Sequence, residues 1–276
     1  MATTPVLEPS RPAEPEAMSP NTRGRSRAGL IPLFSLIFGL WLALFLTIDP
    51  AEPLILLTLA LAVAVGTDGI VRSHPRGDFR TIADTSPYLF VPVLFTLSAG
   101  LFLEDVILSY WAAPAVIGAS VLLGAAVWSE HVTVDRDAQQ FPMARLLLNV
   151  ITYLTAFGFY AVVYGFDVEL APAALAVGLV STLLAVEIFR EAEADAIRAL
   201  VFAAVIGVIA AEARWVLYFL PLDGFLAGVF LLLVFYLSTG VISHYLTNHL
   251  ERGVLLEFAL VTAAGLAIVI GGRAYQ

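Results

Sequence analysis

From Leu30 onward the chain consists of long apolar runs divided by short polar turns. The runs cover roughly 30–48, 53–71, 87–103, 107–129, 145–166, 170–189, 197–220, 224–246 and 254–271. Each is close to the ~20 residues with which a helix crosses a hydrocarbon core of ~30 Å. In lipid every backbone amide must be satisfied within its own segment, so the runs are predicted to be helices, and no alternating ten-residue pattern suggests a barrel. The predicted fold is all-α, a polytopic transmembrane bundle of about nine spans occupying 29–276. Residues 1–28 are rich in Pro, Glu, Ser and Arg and have no apolar face, which predicts a disordered tail.

The polar turns alternate in sign. The tail and every second turn hold Arg11, Arg23, Arg25, Arg27, Arg72, Arg76, Arg80, Arg136, Arg145, Arg190, Arg198 and Arg252. The opposite turns hold Asp49, Glu52, Glu104, Asp105, Asp167, Glu169 and Asp223 and no arginine. The positive-inside rule then predicts a cytoplasmic N-terminus and an external C-terminus. Asp49, Asp105, Asp167 and Asp223 recur at spacings of 56, 62 and 56. At an offset of 118, Asp49 meets Asp167, Arg72 meets Arg190, Arg80 meets Arg198, Asp105 meets Asp223 and His131 meets His249. This suggests a 4+4 parallel repeat, with halves 29–131 and 145–250 and an extra helix at 254–271, although hairpins under one charge rule also align their turns.

Composition sharpens the picture. Hydrophobic residues make up 60% and charged residues 13% of 276 residues, and mean hydropathy is +0.90, far from soluble averages. Cysteine and lysine are both absent. That excludes disulfides, thiolate nucleophiles, Cys-ligated metals, a Schiff-base lysine and a Walker A loop. No cofactor is expected. The net charge of −9 includes no basic patch for nucleic acid. The expected partners are the lipid bilayer and further copies or subunits of a membrane complex, and the arginine-for-lysine, alanine-rich usage points to a bacterial plasma (inner) membrane.

Two groups of residues carry candidate chemistry. In the seventh run, Glu212 and Arg214 are predicted ~12 Å and ~9 Å below the outer helix end. A charge at the membrane centre costs on the order of 2.5–3.5 kcal/mol. Two positions on a helix are ~200° of rotation, so the two side chains face apart and require different partners. Arg214 continues a small-residue stripe through Ala203, Gly207 and Ala211 or Ala210, which places it toward protein. Thr58, Ser98 and Tyr160 lie at comparable depth as partners along a substrate or ion pathway. Pro92 interrupts the third run ahead of Ser98, predicting a kink or unwound segment there.

At the opposite end Asp68, Glu130, His131, Asn149, Glu187, His244, Asn248, His249 and Glu257 all lie within about two turns of helix termini. The plain expectation is a solvated collar. The segment ISHYLTNHLERG, residues 242–253, puts His244 and Asn248 on one face and His249 on another, and no metal-ligand spacing such as HExxH is present. HYLTN resembles the His-x-x-x-Asn element of CAAX-type intramembrane proteases over five residues, without the paired-glutamate motif of that family.

A transporter-like or channel-like protein for a small solute or ion accounts best for the deep charges, the repeat and Pro92. The alternatives are a non-catalytic accessory or scaffold subunit and, third, a membrane-embedded enzyme using the inner His and Glu residues.

Overall fold

The computed structural model describes residues 27–48, 52–106, 111–166, 169–192, 196–220, 222–246 and 252–274. Its elements are a 3-10 turn (Arg27–Leu30) and the helices α1 (Ile31–Thr47), α2 (Pro53–Arg72), α3 (Ile82–Thr85), α4 (Pro87–Val106), α5 (Ala112–Thr133), α6 (Phe141–Gly165), α7 (Leu170–Ala192), α8 (Ala196–Leu217), α9 (Gly224–Leu246) and α10 (Arg252–Ala274). There is no strand among the described residues. Eight helices, α1, α2 and α4 to α9, are long and apolar enough to cross a membrane. The apolar segment identified in α10 is the shorter Phe258–Gly271. This is the architecture of a multi-pass membrane protein.

Local chemistry sets the helix starts. Prolines occupy the first turn of α1, α2 and α6, where the missing N–H is one of the unsatisfied donors and φ is already helical. For α6 this moves the start to Phe141, ahead of the position 145 expected from hydropathy. The unpredicted α3 begins with a capping box: Thr81 receives the Asp84 backbone N–H, and the Asp84 carboxylate receives the Thr81 N–H at 2.8 Å. Pro92 leaves α4 helical from Pro87 to Val106, so the segment does not unwind. Thr96 Oγ1 donates to the Pro92 carbonyl at 2.8 Å.

Helix α6 is central, touching α4, α5, α7 and α9, while α7 and α8 form the tightest pair. Glycine explains the tightness. A Cβ on Gly207 would lie 2.5 Å from the Gly178 carbonyl oxygen, so the two backbones approach as closely as side-chain-free residues allow. Gly228 of α9 lies against Ala161 of α6 in the same way. Between α1 and α5 the contacts are reciprocal, with Ser120 against Gly39 and Ser35 against Gly124. An open apolar groove of about 1530 Å³ runs along this last pair.

Candidate functional site: a buried charge cluster and an isolated arginine

The C-terminal ends of α5 and α7 and the N-terminal end of α6 meet in a network of buried charges. Glu130 (α5) is 0% exposed and Glu187 (α7) 1% exposed, so neither belongs to a solvated collar. Burial of uncompensated carboxylates is expensive, and here arginines compensate them. Arg145 of α6 donates from Nη1 to Glu187 Oε1 at 2.8 Å. Arg190, one turn beyond Glu187, places Nη2 2.9 Å from Glu130 Oε2 and 2.8 Å from Glu187 Oε1. The same nitrogen donates to Thr133 Oγ1 at 3.1 Å. Tyr88 of α4 lies under the guanidinium, its ring centroid 3.9 Å from Cζ, a cation–π contact that fixes the plane of Arg190.

The network is formally neutral, two arginines against two glutamates, yet it is unevenly satisfied. Nη2 of Arg190 serves three acceptors while Nη1 has none, and Glu130 Oε1 and Glu187 Oε2 are also buried without a partner. Thr67 Oγ1 and Ser129 Oγ, near the same end of α2 and α5, are likewise unpartnered.

Around this cluster the other candidates separate. Asp68 joins a second group, accepting from Arg72 Nε at 2.7 Å and from Thr85 Oγ1 at 2.5 Å, with Arg72 Nη2 reaching the Thr81 carbonyl. His131 is buried, with Nδ1 3.2 Å from the Ile70 carbonyl oxygen and its ring edge-on to His74 at 4.7 Å. His244 lies edge-on to Phe258 at 5.8 Å. Asn149 is half-buried on α6, one turn beyond Arg145. Asn248 and His249 lie outside the described residues, as does the side chain of Glu257. Among the described residues no group of three or more His, Asp or Glu is placed to hold a metal ion.

At the other end the two charges of α8 do face apart. Glu212 is exposed on an outer face shared with Val208, Trp215 and Val216, and Arg214 is buried, 4% exposed. Arg214 sits over the Tyr164 ring of α6, 4.8 Å from its centroid. Thr58 is exposed and bonds its own helix at the Ile55 carbonyl. Ser98 donates to the Thr155 carbonyl, and Tyr160 bonds Ser181 at 2.6 Å. Ser98 and Tyr160 are each taken up by a contact to another helix and Thr58 by its own helix, and no hydrogen bond joins any of the three to Glu212 or Arg214 among the described residues.

Sequence reading missed Arg145, Arg190, Thr133 and Tyr88 as members of the buried cluster. The readable signal was Glu187 and Arg190 at i and i+3 on a helix otherwise apolar toward its end.

Residues 36–271 match the family described as protein of unknown function (DUF5656), and the chain belongs to that family. Comparison with curated proteins and with solved structures finds no match.

Proposed function

We propose that this membrane protein is transporter-like or channel-like for a small solute or ion, with the Glu130–Arg190–Glu187–Arg145 cluster as its charge-responsive element. The observation that carries this reading is the sharing of Arg190 Nη2 between carboxylates on two helices, with one oxygen free on each. Ionisable groups inside a membrane domain are costly and mark ion or proton pathways. A proton or cation arriving at Glu130 Oε1 weakens the tie from α5 to α7. Arg190 then keeps Glu187 as its one charged partner, within its own helix, and α5 holds it through the neutral Thr133 hydroxyl. The cluster is thereby a two-position switch biased by one positive charge. The proposal includes nine spans, a cytoplasmic arginine-bearing end in a bacterial plasma membrane, and two parallel halves. Its support is the one-sided distribution of arginine and the correspondence of Arg72 with Arg190, each in the last turn of its helix with an acid about one turn earlier.

The test is ion flux into proteoliposomes holding the full chain and a pH-sensitive dye, with imposed proton, sodium and potassium gradients. Flux above that of empty vesicles, reduced at least about tenfold by Glu130→Gln with unchanged gel-filtration behaviour, supports the reading. The absence of flux under every gradient overturns it.

A specific observation favours the accessory-subunit reading as second. Glu212 faces outward from α8 and the α1–α5 groove is open to the surroundings, so both are available to another membrane helix. Co-purification of a stoichiometric partner that is lost on Glu212→Leu distinguishes this reading.

A further inference from the structure

Arg214 is the one arginine buried at the acid-bearing end of the bundle among the described residues, and its surroundings do not satisfy it. Two of its three nitrogens, Nε and Nη1, are buried without a hydrogen-bond partner. An arginine cannot discharge itself by losing its proton, so the cost of burial persists until an anion or acceptor arrives. The nearest carboxylate along the chain, Glu212, is on the opposite, exposed face of α8. Asp223 already accepts the Leu226 N–H at 2.7 Å, capping α9.

The position in the last turn of α8 favours a cation through the helix dipole. The carbonyls there that would normally take such an arginine are engaged instead by the Tyr164 hydroxyl, which donates to Leu220 at 2.8 Å and to Leu217 at 3.3 Å. That bond also holds the Tyr164 ring as a shelf beneath the guanidinium. A planar cation stacked on an aromatic face, with its edge donors unused, is the recognition element for an oxyanion.

We propose that Arg214 and Tyr164 form a phosphate-binding site between α6 and α8, filled either by a lipid phosphate headgroup or by free phosphate. The site is separate from the cluster at the other end and does not depend on the reading given to it.

The experiment is thermal unfolding of the purified full chain in neutral, phosphate-free detergent. Inorganic phosphate, short-chain phosphatidylglycerol and, at matched ionic strength, chloride are added separately. The expected result is a midpoint raised by about 2–4 °C by phosphate or phosphatidylglycerol, beyond any effect of chloride. The rise is lost in Arg214→Gln, and Tyr164→Phe, which keeps the ring, retains part of it. A response to phosphatidylglycerol alone assigns the site to a lipid headgroup, and a response to both assigns it to phosphate from either source. Equal shifts with chloride, no shift with either ligand, or the same shift in Arg214→Gln and wild type overturns the proposal. Arg214→Met provides the same comparison with an apolar side chain of similar length, should the glutamine variant fail to fold.

Discussion

Glu130 and Glu187, on helices that are not consecutive, share one donor nitrogen, Nη2 of Arg190. The Arg190 guanidinium therefore ties α5 to α7, and Arg145, supplying the second positive charge on Glu187, brings in α6. Removing one partner leaves an uncompensated buried charge, which costs about 3–5 kcal/mol. Glu187→Ala is expected to destabilise by that amount, because both arginines lose it. Arg145→Ala in the Glu187→Ala background costs much less than in wild type. Denaturation of the four proteins of this double-mutant cycle in detergent measures the coupling.

Glycine spacing gives a second prediction. Gly207→Ala forces α8 away from the Gly178 carbonyl, a backbone atom unable to rotate aside, and is expected to cost about 1–3 kcal/mol. Gly118 of α5 has open space where a Cβ would sit. Gly118→Ala is neutral or stabilising by up to about 1 kcal/mol from helix propensity. Thermal midpoints of the two variants separate these outcomes.

The Tyr160–Ser181 contact is asymmetric. Ser181 Oγ donates to the Val177 carbonyl at 2.6 Å, so it receives the proton of the Tyr160 hydroxyl. Tyr160→Phe leaves Ser181 bonded and is expected to cost about 0.5–1.5 kcal/mol. Ser181→Ala strands a fully buried hydroxyl and costs about 1–3 kcal/mol. A smaller loss in Ser181→Ala than in Tyr160→Phe contradicts the donor assignment.

Stability should also depend on His74. Burial holds its imidazole below the ordinary value of 6.5, with the Asp135 carboxylate opposing and the Arg76 guanidinium reinforcing the shift. The folded state thus binds the proton less readily than the unfolded chain. Stability is retained above pH 6.5, falls as pH drops through that value, and levels off below the folded pKa. In His74→Gln this part of the slope between unfolding midpoint and pH disappears.

Much of the architecture was legible because apolar length and charge sign are properties of single segments. The runs at 30–48, 53–71 and 224–246 coincide with α1, α2 and α9 to within one residue at each end. The opposite orientations of Glu212 and Arg214 followed from helical rotation alone. The charge cluster was harder to see because its members come from four helices. Arg145 and Arg190 read as markers of membrane orientation, and their inward turn depends on how α5, α6 and α7 pack. Glu130 and Glu187 were identified as polar candidates, but near helix ends nothing in one segment distinguishes a solvated carboxylate from a sealed one.

The cluster also has an order of assembly written into the chain. Glu130 is synthesised 60 residues before Arg190, and Arg145 42 residues before Glu187. As the helices enter the membrane one after another, α5 brings in an acid and α6 a base, and both wait for α7. The residues of this one helix complete the network, Arg190 reaching Glu130 of α5 and Glu187 taking Arg145 of α6. A ribosome-bound chain that stops before residue 187 holds one early acid and one early base, each still without its α7 counterpart.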